Sequence, residues 1–508
     1  MLSEVYQSLP VSVVTGLGLA SLLLCWRFWT FTIKPSLWPD NPVELPRHSF
    51  AFFKHADTII EQGLNYIGRT HEPFALQLLG RKMYIITGPK DVTSAFSNST
   101  SLTFDGNLRQ LLTNFGLTKP GFKKAWHNPQ PGDWCYMPNN SINPNQLNLI
   151  HFVEEILKKQ LLPGEQMDKL SEAYMSPLLQ TFHYTQLDSY LDRSPRPSVM
   201  RNEITQKIRM TTLYPLCQYP IIEAVTLAFF GPRIFEIEPS IVDCMLRFNE
   251  NAWMVAFGYP RMLSTPINGV RRKVMDALIK YLHLPEDQRA QQAWSIKNIL
   301  GCMEIVDCND ESRAYMLLMT YWAAISNQSN TVFWIMSYLL YDPTLFRLYL
   351  CVNCPQLESM LSEILRIMNG AGALRVVEEK TELGGKVLHL GNIIFIPFRQ
   401  LHTNEKVWGP TVGEFDPYRF LKKKSLTRHS SYRPFGGGGT PCPGKTLARE
   451  QVFGFISTLL HRFDIELAGP ATAESFPLLN RLTPSLGVNG PAKGMEVMVQ
   501  LSDRTPLI

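Results

Sequence analysis

The chain of 508 residues lacks the features that divide a sequence into several units. It contains no Gly/Ser-rich linker, no low-complexity tract and no internal repeat. Apolar residues make up 45% of the chain, which is enough to build one large hydrophobic core. These absences predict one large globular domain rather than a string of small ones.

A strong excess of one charge is also missing. The 49 Lys and Arg residues nearly balance the 44 Asp and Glu residues, so the net charge is only +5. No basic run with interleaved aromatic residues occurs. Nucleic acid is therefore not expected as a partner.

Cysteine pairs at regular spacing are missing as well. The nine cysteines are scattered, and most stand in apolar contexts. This distribution indicates reduced, buried thiols rather than a disulfide framework. The close pair Cys351-x-x-Cys354 lacks a second pair or nearby histidines, so it favours packing over a metal site.

What the chain does contain begins with an uncharged, largely apolar run over residues 9–26. At ~1.5 Å per residue a helix of this length spans roughly 27 Å, close to the hydrocarbon thickness of a bilayer. Arg27 and Lys34 follow the run, whereas Glu4 precedes it. This charge asymmetry predicts a single-pass membrane anchor over residues 1–34, with the body of the protein in the cytosol.

A cleaved signal peptide is the alternative for this segment. It needs a basic region before the apolar run and small residues at the cleavage site. Neither is present, since Trp26 and Phe28 stand where small residues would be. Prolines then recur over residues 35–47 and predict a stiff, non-helical spacer before a globular domain of residues 48–508.

A second uncharged run covers residues 314–341 and ends at Asp342-Pro343, a helix stop. Its centre, residues 326–331, carries six polar side chains in succession, which are costly in lipid. The pattern favours a buried helix with a polar notch beside a binding site. A second membrane span is the less favoured alternative.

The stretch from Phe435 to Gly444 reads F-x-x-G-x-x-x-C-x-G. Its glycines let the backbone pass close to a flat cofactor without Cβ collisions. A helix expected from Lys445 to His461 places its N-terminus beside Cys442 and favours a negatively charged sulfur there. The pattern predicts a thiolate presented on a glycine-rich loop.

This loop resembles the cysteine loop of the cytochrome P450 family. The resemblance implies a heme b cofactor whose iron is bound by Cys442, with Phe435 and Gly438 in the cofactor-binding loop. A thiolate ligand pushes electron density onto heme iron and favours O–O cleavage. The fold implied is the P450 fold, mainly α with small β-sheets (α+β), here with an N-terminal transmembrane helix.

Two further segments resemble the same family. Glu363 and Arg366 stand three residues apart on one predicted helix face, and residues 415–420 match the pattern F-x-P-x-R-F. The resemblance implies a buried ion triad of these two residues with Arg419. It also implies that Arg375, on a predicted strand, binds a heme propionate; an exposed strand arginine is the alternative.

The sequence departs from the family pattern near the heme. Thr440 stands where most members have an arginine two positions before the cysteine, so one propionate contact is missing. The tryptophan-and-arginine signature of the helix near residue 150 is not evident. Lys158 and Lys159 are weak substitutes for it.

The long helix departs further, because most members read A/G-G-x-D/E-T there. Ser329 stands at the acid position and Asn330 at the alcohol position, followed by Thr331. Neither Ser329 nor Asn330 titrates near neutral pH. The three are predicted to line the distal side of the heme and to organise water for proton delivery.

This helix, together with residues 248–260, resembles the branch that contains the sterol 7-alpha-hydroxylases and prostacyclin synthase. The glycine-rich loop also resembles P450s of fungal natural-product pathways. Some members of the branch hydroxylate sterols, whereas others rearrange or dehydrate peroxides without external electrons. Both outcomes stay open for this chain.

The first functional hypothesis is a monooxygenase anchored in the endoplasmic reticulum membrane with its catalytic domain in the cytosol. It takes electrons from NADPH through NADPH–cytochrome P450 reductase and oxidises a lipophilic substrate, a polycyclic terpenoid or sterol-like compound of secondary metabolism. The second is a heme-thiolate isomerase or dehydratase that acts on a peroxide. A non-catalytic heme sensor or carrier is a third, disfavoured by the anchor and the polar notch.

Overall fold

The computed structural model describes residues 11–45, 49–78, 81–183, 187, 208–260, 262, 264–351, 355–469 and 475–504. Helices dominate these residues, and the strands form three small sheets. The predicted fold class, mainly α with small β-sheets, is confirmed. Of the residues used above, Glu4, residues 9–10 and Cys354 lie outside the described ones.

The helices are named in chain order. Helices α1 to α10 are Val11–Phe28, Lys34–Leu37, Ser49–Tyr66, Pro89–Ser97, Asp105–Phe115, Lys119–Ala125, Leu149–Leu161, Glu165–Thr181, Leu213–Phe230 and Arg233–Ile237. Helices α11 to α21 are Ile241–Ala256, Thr265–Leu282, Trp294–Ile305, Asp310–Ile325, Gln328–Tyr341, Pro343–Cys351, Pro355–Ile367, Phe398–His402, Glu405–Trp408, Arg419–Lys422 and Lys445–Arg462.

The strands pair into a six-stranded sheet in the order β1-β2-β3-β9-β6-β4, a three-stranded sheet β10-β11-β5 and the hairpin β7-β8. Strands β1 to β11 are Val43–Leu45, Phe74–Leu78, Arg81–Ile85, Leu102–Thr103, Ile208–Thr212, Gly372–Val377, Thr381–Leu383, Lys386–Leu388, Ile393–Pro397, Phe463–Leu467 and Met498–Asp503. The register of β6 against β9 places Arg375 opposite Ile394.

Local signals explain where several helices begin. Asn148 and Asn309 precede α7 and α14, and each side chain accepts a hydrogen bond from a backbone N–H of the first turn. Pro89 opens α4, where a missing N–H costs nothing. The main core then packs α9 against α8 and α15, and α15 against α17 and α21.

The N-terminal segment is helical for longer than the sequence predicted. Helix α1 continues through a π-helix, Trp29–Ile33, into α2. The non-helical spacer predicted over residues 35–47 is therefore wrong at its start, because Pro35 falls in the first turn of α2 and needs no N–H partner there. Further along, Val43–Leu45 is non-helical, as predicted, and pairs with β2 in parallel.

Two apolar helices bear on membrane insertion. The helix Leu213–Phe230 is long and apolar enough to cross a bilayer, but 72% of it is buried, as a core helix is. Val13–Phe28 is a shorter apolar helix, and its leucines are exposed, Leu22 at 69%. This gives the predicted anchor weak support.

The single helix predicted over residues 314–341 is wrong in one respect. It is two helices, because α14 ends at Ile325 and α15 begins at Gln328. Asn327 between them has a φ of −124°, outside the helical range. Polar side chains compete with the helical ladder here, since the Asn327 N–H donates to Oε1 of Gln328 at 3.2 Å. Both helices are largely buried, as predicted.

Candidate active site

A buried ion triad lies beneath the candidate site. Arg366 donates from Nη2 and Nε to the two oxygens of Glu363 at 2.7 and 2.8 Å, and Arg419 donates from Nε to Glu363 Oε1 at 3.0 Å. All three side chains are buried. Their remaining N–H groups donate to backbone carbonyls, so that every charge is satisfied. The predicted triad is confirmed.

His402 connects this triad to the cysteine loop. Its Nδ1 lies 3.1 Å from the Arg366 carbonyl oxygen, and its Nε2 lies 3.0 Å from the backbone nitrogen of Arg433. The carbonyl can only accept and the N–H can only donate, so Nδ1 carries the proton. Burial and the nearby Arg366 charge lower the pKa of His402 to about 3. The ring is therefore a neutral bridge.

The cysteine loop itself is a tight turn. The Cys442 N–H donates to the Phe435 carbonyl at 2.9 Å, and Phe435 packs its ring against the main core. Gly438 has a φ of +69°, and a Cβ on it would lie 2.4 Å from the Phe96 carbonyl oxygen. Only glycine fits this position, so the glycine pattern noticed in the sequence has a steric cause. Helix α21 follows at Lys445, as predicted.

Cys442 is an exposed residue at the end of this loop. The surrounding protein raises the pKa of the thiol by desolvation, and a hydrogen bond from the Gly444 N–H lowers it in part. A metal cation deprotonates a coordinating thiol outright, which fits a ligand role.

Arg375 lies beside this loop. Its side chain is only 6% exposed, and Nη2 donates to the Thr440 hydroxyl at 2.7 Å. The guanidinium stands 5.2 Å from the ring centroids of both Phe96 and Phe104. The alternative of an exposed strand arginine is therefore wrong. Burial lowers the pKa of Arg375, and within the described part of the chain no carboxylate forms a salt bridge with it.

These features fit a heme. The loop carries a sulfur donor on an exposed residue, and its glycines remove side chains where a flat ring must approach. A buried cation that has no acidic partner among the described residues suits a propionate. Cys442, Phe435, Gly438 and Arg375 would hold the group. The propionate role of Arg375 stays a prediction.

The three residues predicted on the distal side are buried in α15. The Asn330 Nδ2 donates to the Val488 carbonyl at 2.7 Å, and its Oδ1 accepts from the Tyr214 hydroxyl at 2.7 Å. Thr331 Oγ1 donates to the Asn327 carbonyl at 2.9 Å. Among the residues described, no hydrogen bond joins Ser329, Asn330 or Thr331 to the cysteine loop, although α15 packs against α21, the helix that follows that loop.

A large cavity opens beside the start of α15. Its volume is about 1440 Å³, and its walls come from α11, α12, the break between α14 and α15, and residues 480–497. Asn327 and Asn330 line it, whereas Cys442 and Arg375 do not. Burial raises the pKa of Glu250 in its wall, against the lowering effect of Lys493. The lining mixes apolar with hydrogen-bonding and charged groups.

Sequence reasoning missed the segment 487–490, which forms part of this wall. The Val488 N–H donates to Asn327 Oδ1 at 2.8 Å, and Trp334 Nε1 donates to the Asn489 carbonyl at 2.7 Å. A Cβ on Gly487 would lie 1.7 Å from Asn327 Oδ1. The paired glycines of Gly-Val-Asn-Gly were the available signal for a close backbone approach.

The lysines considered as substitutes for the missing helix signature are engaged elsewhere. Lys158 pairs with Glu155 at 2.8 Å and with Glu154 at 3.5 Å. Lys159 lies 5.8 Å from the ring centroid of Trp294. Neither contacts the cysteine loop, so this substitution is not supported.

Comparisons with known proteins agree with this geometry. The family model described as Cytochrome P450 matches residues 351–485, which contain the triad and the cysteine loop. A cytochrome P450 monooxygenase of Hypoxylon pulicicidum is 26% identical over 95% of this chain and 94% of its own length. One from Penicillium oxalicum is 21% identical over 90% of this chain and 93% of its own. A steroid 17-alpha-hydroxylase/17,20 lyase of Felis catus is 30% identical over 29% of this chain and 33% of its own.

Proposed function

We propose, from the premise that the chain belongs to the cytochrome P450 family and is an oxidoreductase, that it is a heme-thiolate monooxygenase acting on a lipophilic substrate. The observation that carries the proposal is the cysteine loop, in which the exposed residue Cys442 follows a run of glycines and Thr440, the residue that the buried Arg375 contacts. When bound, the heme supplies oxygen activation with electrons delivered from NADPH by NADPH–cytochrome P450 reductase.

The finer proposal for the substrate is a polycyclic terpenoid or sterol-like compound of secondary metabolism. The cavity beside α15 exceeds the ~300–1,000 Å³ of ordinary ligand pockets, which suits a large skeleton. Its wall also offers amide side chains such as Asn327 and Asn330. A substrate that carries a few oxygen functions on an apolar skeleton matches this mixed lining best.

The polar side chains of α15 have two proposed roles, holding the cavity wall and organising water. Asn330 uses both ends of its amide on Val488 and Tyr214, so we assign it to holding the cavity wall. Ser329 and Thr331 remain the proposed residues that organise water on the distal side. Neither supplies a proton from its own titration near neutral pH, so water between them and the substrate delivers it.

The location proposed is the endoplasmic reticulum membrane, crossed once by α1, with residues 48–508 in the cytosol. The exposed apolar surface of α1 and Arg27 at its end support this orientation. A membrane anchor places the protein where lipophilic substrates and a membrane-bound reductase are concentrated.

The ligand assignment is tested by spectroscopy of the full chain in membranes. The reduced protein with carbon monoxide is expected to show the red-shifted Soret band of a thiolate-ligated heme. Cys442→His is expected to lose that band, whereas Cys25→Ser, an exposed cysteine of α1, keeps it. An unshifted band in the wild type overturns the proposal.

A peroxide isomerase or dehydratase is the second candidate, and the missing acid at Ser329 favours it. The two functions differ in electron demand. If a lipid hydroperoxide is converted to product without NADPH or reductase, and no lipophilic compound is oxidised with them, the second candidate replaces the first.

A further inference from the structure

Two guanidinium groups flank one aromatic ring beside the cysteine loop. Phe96, at the end of α4, has Arg375 at 5.2 Å and Arg433 at 5.8 Å from its ring centroid. The backbone carbonyl oxygen of Phe96 lies 2.4 Å from the position that a Cβ on Gly438 would take. Arg433 stands two positions before Phe435, and its Nη1 lies 3.3 Å from the Cβ position of Gly437. Both arginines therefore border the loop that carries Cys442.

Neither arginine has an acidic partner within the ranges that the structure describes. Arg433 donates from Nε to the Ser430 carbonyl at 3.1 Å, and its two Nη groups form no hydrogen bond with any described residue. Arg375 donates a hydrogen bond from Nη2 to the Thr440 hydroxyl, which is neutral. One buried and one half-buried cation at the same ring are costly unless an anion pairs with them.

The anion must satisfy several conditions. It lies within reach of the cysteine loop, it carries two negative groups, and it accepts from planar donor forks, as carboxylates do. Heme carries two carboxylates at one edge of its ring. The arginine that most family members place two positions before the cysteine is Thr440 here, which removes one charged donor from this edge.

We propose that Arg433 binds a heme propionate and replaces the charged contact that Thr440 cannot supply. Arg375 and Arg433 then take one carboxylate group each, with the ring of Phe96 holding the two guanidinium groups in place. Thr440 orients Arg375 through its hydroxyl instead of binding the cofactor by charge. This assignment rests on the proposed heme-thiolate function.

The first test measures heme retention of the purified holoenzyme as the rate of heme transfer to apomyoglobin. Arg433→Gln removes the charge and is expected to transfer heme at least about tenfold faster, the loss of one charge-assisted hydrogen bond. Arg433→Lys keeps the charge but loses the planar pair of donors, and its transfer rate is expected to lie between those of the wild type and Arg433→Gln. Arg428→Gln changes an exposed arginine five positions upstream and serves as the matched control, with an unchanged rate.

The second measurement reports on the carboxylates directly. The resonance Raman propionate-bending bands of the holoenzyme are expected to shift in Arg433→Gln and to stay in place in Arg428→Gln. Unchanged bands together with an unchanged transfer rate in Arg433→Gln overturn the inference. If Arg433→Gln does not accumulate, Arg433→Ala, which also removes the charge, replaces it, and wild-type values of this variant in both measurements overturn the inference equally.

Failure of the proposed function and failure of the Arg433 inference give different experimental results. A wild-type protein that binds no heme defeats the proposed function and this inference with it. A wild type with a normal thiolate spectrum and an unaffected Arg433→Gln variant defeats the inference alone.

Discussion

At the residue scale, the site contains two kinds of charge: those of the Glu363 triad, which are paired, and those of the arginines beside the cysteine loop, which have no acidic partner among the described residues. Glu363 serves two arginines at once and is fully buried, so its contribution cannot be replaced by water. Among the residues that the structure describes, Arg375 and Arg433 have no such partner near the loop. The triad therefore serves the fold, and the unpaired arginines are free to serve a ligand.

Neutralising Glu363, the acid of the triad, should destabilise the folded protein. Glu363→Gln leaves Arg366 and Arg419 buried without a counter-charge, and we expect the free energy of unfolding to fall by about 3–5 kcal/mol. Urea denaturation followed by circular dichroism measures it. Glu358→Gln, on the same helix but in a surface pair with Arg449, should cost no more than about 1 kcal/mol. Equal losses in the two variants would contradict the assignment.

His402 makes stability depend on pH. Its pKa is lowered to about 3 in the fold, whereas the unfolded chain takes up a proton near pH 6.5. The unfolded state therefore binds more protons between these values, and this residue lowers the free energy of unfolding by up to about 1.4 kcal/mol per pH unit as pH falls. His402→Gln is expected to flatten that slope in denaturation curves measured from pH 7 to 4. Parallel slopes in wild type and variant would count against it.

At the element scale, the break between α14 and α15 is the decisive feature. Here the Oδ1 of Asn327 accepts a hydrogen bond from the Val488 N–H. Glycine is the only residue type that fits at position 487, because a Cβ there would collide with the Asn327 amide. The break turns a core helix into one wall of a cavity. It also fixes the segment 487–490 relative to α15.

A double-mutant cycle tests this contact. Gly487→Ala alone is expected to destabilise the protein by about 1–3 kcal/mol, because the new Cβ collides with the Asn327 amide. In an Asn327→Ala background the same change should cost much less, since the colliding amide is gone. Gly413→Ala is the control, because a Cβ there meets nothing within 4 Å. Additive effects of the two substitutions would show that they are not in contact.

The sequence predicted those elements whose cause is local. The fold class, α21 after the cysteine loop and the helix with Glu363 and Arg366 follow from periodicity, spacing and family resemblance. The helix break depends on Val488, 161 residues after Asn327, and no local pattern reports such a contact. For the same reason the position of Arg433 beside Phe96 was invisible, as was the pairing of Val43–Leu45 with β2.

At the scale of the whole molecule, the exposed apolar helix α1 is joined to the six-stranded sheet. The junction is not a loose tether, because Lys34 pairs with Glu44 at 3.2 Å and Glu44 also pairs with Lys82 of β3. The end of the proposed anchor is thereby attached to the six-stranded sheet.

Removing residues 1–33 keeps Lys34 and its pairing with Glu44. We expect the shortened chain to move from the membrane pellet to the supernatant after high-speed centrifugation, while its reduced carbon monoxide spectrum stays that of the full chain. The same deletion with Lys34→Ala should lose part of its thermal stability as well. Retention of the shortened chain in the pellet at high salt would show that the membrane contact lies elsewhere.

The neutral bridge of His402 has a thermodynamic consequence for the molecule. It joins the triad to the loop through Arg366 on one side and Arg433 on the other, so the two regions are in contact through one side chain. By linkage such a coupling is reciprocal, so if heme binding stabilises the triad, an intact triad raises heme affinity by the same free energy. A substitution in the triad, far from any ligand atom, should therefore shorten the time for which the protein retains its heme.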